Sequence, residues 1–158
     1  MTIFFDLFKN PVELPENEEI FWRISAYALI KNKENKILMT LPTYDTSKWM
    51  LPGGGISTSE KVLDGIVREC YEETGYRVKI TSNTPIFFGE TAFFHEKKFL
   101  HSLNLVFSAS LISDKQDEHM INSAEKDEIA KVEWIPITNL NEKNCRNIIF
   151  PAIQTLKK

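Results

Sequence analysis

The stretch that most narrows what this chain can fold into is Pro52-Gly53-Gly54-Gly55 and the residues that follow it. A proline and three successive glycines suit neither a helix nor an ordinary strand, so the backbone is expected to turn there. Ser57 and Glu60 then stand at capping-box spacing, which starts a helix. No proline interrupts residues 60–73, and Gly75 sits where a left-handed residue stops a helix. Residues 53–76 are therefore read as a glycine-rich loop, a helix and a stop.

That helix has two faces. At roughly 100° per residue, Val62, Leu63, Ile66, Val67 and Cys70 share one stripe, the buried one. Glu69, Glu72 and Glu73 fall on an adjoining arc of roughly 100°. Like charges at these spacings repel on a bare helix. Carboxylates at the margin of a core also lose hydration. A hard divalent cation with oxygen ligands relieves both costs; without His or Cys, the set suits Mg2+ or Mn2+ rather than zinc. Gly65, one turn earlier, costs about 1 kcal/mol of helix propensity relative to alanine. Its missing side chain leaves room above the carboxylates. A merely solvated acidic face explains the acids alone, but not loop, cap, Arg68, acids and Gly75 at fixed offsets.

Those offsets match the signature of a known family. Gly54, five residues, Glu60, seven residues, then Arg68, Glu69, Glu72, Glu73 and Gly75 carry every fixed position of the Nudix box, with Cys70 and Tyr76 at its apolar positions. The chain thus resembles the Nudix hydrolases most strongly over residues 53–76, and less specifically over most of its length. Ser57 and Ser59 depart from the Glu and Gly that members often carry, at positions outside the fixed set.

The resemblance implies an α/β/α sandwich with a mixed β-sheet. It implies a metal-dependent pyrophosphohydrolase that cleaves a diphosphate linkage in a nucleoside diphosphate derivative by water attack on phosphorus. It assigns metal to Glu69, Glu72 and Glu73 and to the backbone carbonyl of Gly53. Arg68 is read as bracing Glu72 or Glu60, and Glu60 as supporting the metal ligands from the helix start. Several relatives recruit a further acid from the loop before a Trp-bearing strand, as ligand or general base. Here that is Glu128 or, second, Glu125, the alternative being a solvated loop; Glu73 is the other candidate base. Gly54 and Gly55 are taken as substrate contacts.

Composition bounds the rest. The chain has 158 residues and a net charge of −3, enough for one domain with its own core. It lacks the basic excess of a nonspecific nucleic-acid binder. Cys70 and Cys145 form neither a disulfide framework nor a zinc spacing, and Cys70 reads as a small core residue. Residues 1–9 are interrupted by Asp6 and read as neither signal peptide nor membrane span, so a reducing cytoplasm is the expected location.

In chain order, residues 1–19 form an arm, aromatic at Phe4, Phe5 and Phe8. It either covers its own core or is exchanged in a homodimer, as many relatives are dimers. Residues 21–30 and 36–39 are expected to pair as a hairpin around the polar residues 31–35. Arg23 in that first strand is either a solvated charge or a fork for phosphate. Residues 40–48 are a loop, and Trp49 is read as its packing anchor rather than as a base-stacking residue. Residues 86–88 and 90–94 are two strands or one bent at Gly89. The charged residues 95–98 turn, and His101 is a surface or edge group. Residues 101–111 alternate as a strand, with Leu103, Leu105, Phe107, Ala109 and Leu111 on one face and Ser102 and Asn104 on the other. An acidic loop at 113–127 leads to a strand with Trp134. A helix at 144–158, broken or restarted at Pro151, closes the chain.

Family markers do not choose the substrate. Pro85 falls short of the proline often found in ADP-ribose hydrolases, and Phe93 and Phe94 stand near where dinucleoside polyphosphate hydrolases often have tyrosine. Two other readings stay open. An isopentenyl diphosphate isomerase-like enzyme calls for catalytic Cys and Glu outside the box, which Cys145 does not obviously supply. A non-catalytic nucleotide-binding module usually lacks box acids, all of which this chain keeps.

Overall fold

The computed structural model describes residues 3–6, 10–121 and 128–157. In chain order the elements begin with β1 (Phe4–Phe5), β2 (Pro11–Val12), β3 (Ile20–Ile30), β4 (Lys36–Pro42) and β5 (Gly53–Gly55). Then come α1 (Val62–Thr74), β6 (Val78–Ile80), β7 (Phe87–His95) and β8 (Lys98–Leu111). The short helix α2 (Glu118–Ile121), β9 (Ile129–Pro136) and α3 (Phe150–Gln154) complete the set.

β3 is the hub. Its last five residues are buried, and a strand apolar on both faces belongs inside a sheet. It runs parallel to β8 from Ile20↔Phe99 to Ile30↔Ala109, and antiparallel to β5 on its other edge. β7 folds back on β8 through Glu96 and Lys97, both at positive φ (48° and 60°), the twist that a two-residue hairpin turn needs. The larger sheet runs β2-β1-β7-β8-β3-β5, with β6 on β8, and mixes parallel and antiparallel pairs. Alternation along β3 sends Ala26, Ala28 and Ile30 to the face under α1. It sends Tyr27 and Leu29 to the face packed with Ile149, Phe150 and Ile153 around α3. Helices thus cover both faces of a mixed sheet. Among the described residues no helix is long and apolar enough to cross a membrane.

Several expectations change here. The hairpin of residues 21–30 with 36–39 stops at one bridge, Lys31↔Ile37. Both edges of β3 are already taken by β8 and β5, so β4 leaves and pairs with β9 in a separate two-stranded ribbon. The glycines are extended rather than turned. Gly54 lies opposite Ala26, and Gly53, at φ 136°, approaches β3 so closely that a Cβ would sit 2.2 Å from the Ala26 carbonyl oxygen. Only glycine fits there. Residues 87–95 form one continuous strand through Gly89.

The helix begins later than its capping box. Ser57 N–H donates to Glu60 Oε1 (2.9 Å), yet α1 starts at Val62 after an extended Lys61. The Glu60 carboxylate is engaged by Arg68, so the box closes a turn ahead of the helix. At the other end Gly75, at φ 71°, caps α1 by donating to the Tyr71 carbonyl (2.8 Å). The C-terminal helix is shorter than expected, starting at Phe150 with Pro151 in its first turn. Residues 144–146 instead pair with Trp49. Trp49 N–H donates to the Asn144 carbonyl (2.8 Å), and Arg146 N–H to the Trp49 carbonyl (3.0 Å). Phe4 is buried edge-on against Phe99 (5.1 Å, 88°), so the arm covers its own sheet. Phe8 and Glu125 lie outside the described residues.

Candidate active site

α1 holds its acids through one guanidinium. Arg68 donates to both oxygens of Glu60 (3.0 and 2.8 Å) and to Glu72 Oε2 (2.7 Å), and lies 2.8 Å from Glu69 Oε1. The fork geometry of Arg is what lets one side chain serve three carboxylates. Hydrogen bonds from Arg68 hold the Glu60 carboxyl at about 2, well below its ordinary range. The same bond to Glu60 leads the causes that raise Arg68. The gap at Gly65 is filled by protein: a Cβ would meet Ile56 Cδ1 at 2.7 Å and the Glu60 carboxyl carbon at 3.1 Å.

Two of the acids, Glu73 and Glu69, rest against β5. Glu73 Oε2 accepts the Gly53 N–H (2.9 Å), and a Cβ on Gly54 would lie 3.1 Å from Glu69 Oε2. Glu69 is 15% exposed. Glu69, Glu73 and the Gly53–Gly55 backbone line a cavity of about 700 Å3. Arg23 and Glu128 line it too. Glu128 closes the start of β9, where its carbonyl accepts the Thr43 N–H (2.8 Å). Glu60, Arg68 and Glu72 are not among the described lining residues.

Arg23 sits beside Gly55, where a Cβ would come within 2.1 Å of its Nη2. Among the described residues it makes no hydrogen bond and no ion pair, and it faces the same cavity as the two acids. Gly55→Ala is therefore expected to push the guanidinium aside without breaking β5. KM for a phosphoanhydride substrate should rise about tenfold, the scale of a lost hydrogen bond to a charged group, and Arg23→Ala should show the same rise. An unchanged KM in Gly55→Ala would mean that Arg23 does not meet the substrate.

The Glu69 and Glu73 carboxylates and the Gly53 backbone carbonyl are oxygen donors, which fits a hard divalent cation. Among the described residues no three acids converge on one point, because Arg68 draws Glu72 and one oxygen of Glu69 to itself while Gly53 N–H holds Glu73. The other flagged groups lie apart. His101 stacks on Trp22 (4.2 Å, 16°) and reaches Glu90 (3.1 Å), away from the cavity lining. Cys70 is fully buried, and burial, then the Glu73 and Glu69 charges, push its thiol up, away from reactivity.

Sequence reasoning missed the wall opposite in kind. Tyr44, Arg146 and Tyr27 line the cavity. Tyr44's hydroxyl is raised by burial and by Glu73, Asp45 and Glu128, against Arg146, which lowers it. Tyr27's is raised by burial first. The only cue for Tyr44 was an aromatic in an otherwise polar loop. Arg146 had none, since a helix was expected there. The cavity floor was also read too simply. Ser25 and Asn104 are buried, Ser25 bonding Ser102 (3.0 Å) and Asn104 donating to Thr91 (3.0 Å).

Solved structures share this fold. A NUDIX hydrolase from Nitrosomonas europaea superposes with a TM-score of 0.65 at 18% identity, covering 85% of this chain and 88% of that one. A MutT NUDIX hydrolase from Burkholderia pseudomallei gives 0.64 at 20%, covering 85% and 97%. At such identities the likeness is one of fold alone, that of an α/β protein. Residues 21–156 match the NUDIX domain, and the chain belongs to that family. The RNA pyrophosphohydrolase of Bartonella tribocorum is 46% identical over 57 residues, 31% of this chain and 33% of that protein. Nudix hydrolase 6 of Arabidopsis thaliana is 28% identical over 132 residues, 80% of this chain and 43% of that protein. The chain therefore spans less than half the length of these curated relatives.

Proposed function

We propose that this protein, acting as one domain, is a divalent-cation-dependent pyrophosphohydrolase that hydrolyses the diphosphate linkage of a nucleoside diphosphate derivative: a nucleotide, a nucleotide-sugar or a dinucleotide. One observation carries the reading. Two carboxylates, Glu69 and Glu73, and a cation without a hydrogen bond or ion pair among the described residues, Arg23, line the same cavity. Acids for a metal and a cation for phosphate are what a bound diphosphate requires. Family membership and the pyrophosphohydrolase name of a relative support the same class.

Glu69, Glu73 and the Gly53 backbone would hold Mg2+ or Mn2+, with Glu72 available once it leaves Arg68. When bound, such an ion neutralises phosphate oxygens and lowers the pKa of a water. Water oxygen attacks phosphorus, the bridging P–O bond breaks, and the bridging oxygen leaves on one phosphate product. Glu128 is assigned as acceptor of the water proton, Glu73 being the competing base. Arg23 binds the phosphates, and Gly54 and Gly55 let the chain approach them. The burial of Phe4 in its own sheet favours an arm that completes the monomer over one exchanged in a homodimer. Two buried free cysteines are consistent with a reducing cytoplasm.

The test is a panel of nucleoside diphosphate compounds with Mg2+ or Mn2+, scored for phosphate or monophosphate release. Turnover of at least one, abolished by EDTA, is expected. Tight binding with no turnover of any compound would replace the hydrolase with a nucleotide sensor.

A further inference from the structure

Tyr44 stands out on the cavity wall. It is the one large apolar side chain, among the described lining residues, that is strongly exposed, at 47%. A single exposed aromatic needs no explanation by itself. This one, however, is held in place by a buried guanidinium. The Arg146 guanidinium lies 5.2 Å from its ring centroid. Arg146 in turn is paired with Asp45 (3.0 Å), both side chains being more than four-fifths buried. Asp45 also accepts from the Ser47 N–H (3.1 Å), and the Arg146 backbone is tied to Trp49. Nε and Nη2 of Arg146 are buried without a hydrogen bond, so charge and ring contact are what this guanidinium is spent on. Asp45 offsets the cost of burying that charge, and the buried pair fixes a tyrosine that is itself half exposed to the cavity.

We propose that Tyr44 is the stacking platform for the base of the substrate, and that Arg146 and Asp45 position it. The inference rests on the diphosphate reading of the cavity. A ring already immobilised loses little entropy on stacking. The guanidinium is attracted to one face of the ring and leaves the other for a planar group. With Glu69, Glu73 and Arg23 in the same cavity, the planar group is one joined to a diphosphate, a nucleobase. An apolar chain or a bare sugar would gain little from this arrangement.

The test compares binding of the four common ribonucleoside monophosphates with that of ribose 5-phosphate, by calorimetry, in the wild type and in Tyr44→Phe, Tyr44→Leu and Tyr44→Ala. The wild type is expected to bind at least one nucleotide about tenfold or more tightly than ribose 5-phosphate, as base–aromatic stacking affords. Tyr44→Phe keeps that preference. Tyr44→Leu and Tyr44→Ala erase it, and Leu, which retains apolar bulk, guards against loss of fold. Preference surviving in Leu or Ala, loss in Phe equal to that in Ala, or no preference in the wild type would each overturn the platform. The two readings fail separately. Absent hydrolysis with a preference that Tyr44→Leu erases removes only the hydrolase. Hydrolysis with a preference that Tyr44→Leu leaves intact removes only the platform.

Discussion

Glu73→Gln is expected to lower kcat by about 10²–10⁴, the range associated with a positioned acid or base, while the protein stays folded. The structure makes this a clean exchange. Glu73 Oε2 accepts the Gly53 N–H at 2.9 Å, and a glutamine carbonyl oxygen can accept the same bond. β5 therefore keeps its seat on α1, and only the charge is lost. That charge is what a divalent ion needs from an oxygen ligand. It is also what a competing base would use on water. Mg2+ titration separates the two roles. A ligand lost shows as a shifted Mg2+ requirement, a base lost as a depressed kcat at saturating Mg2+. Glu128→Gln, measured alongside, should depress kcat without moving the Mg2+ requirement. Thermal unfolding in EDTA should be unaltered in Glu73→Gln. Turnover close to wild type in that variant, with a normal Mg2+ response, would remove Glu73 from the chemistry.

What the sequence made legible was local, and what it hid was not. The helix with its acids, the stop at Gly75 and the strand 101–111 depend on residues a few positions apart, whose spacing records the geometry directly. The partner of β4 does not. Lys36–Pro42 has the pattern of a strand but nothing in it says that β3 has no free edge; that follows from β5 and β8, both distant in sequence. Residues 144–149 read as helix, yet the Asn144 and Arg146 backbones are hydrogen-bonded to Trp49, about a hundred residues earlier. Tyr44 and Arg146 meet by the same long-range pairing, so this part of the cavity wall was invisible. The polar positions of β8 show a different limit. Ser102 and Asn104 were correctly assigned to the face opposite Leu103, but that face is buried, because β3 and β7 supply matching polar groups. Alternation gives faces, not what covers them.

Arg68→Ala is expected to reduce kcat/KM about 10–100-fold, the usual cost of removing a partner that orients metal-binding groups. Arg68 lies outside the cavity lining, so the loss must act through the acids it holds: Glu69 and Glu72 directly, and Glu60 by two hydrogen bonds. Without it three carboxylates on neighbouring turns repel and spread. Arg68→Lys restores one charge but not the fork and should recover only part of the activity. A second readout follows from Glu60, whose pKa is lowered from 4.5 to about 2, first by hydrogen bonds from Arg68. A carboxyl lowered on folding contributes stability above its unfolded pKa, and that contribution is lost as pH falls through the folded value. In EDTA, the wild type should therefore lose this contribution between about pH 4.5 and 2. Arg68→Ala should be less stable at pH 7 yet flatter over that acid window, so that denaturation midpoints of the two proteins draw together at low pH. Midpoints that stay equally far apart from pH 7 to 2 would mean that Arg68 stabilises the fold through something other than the charges it gathers.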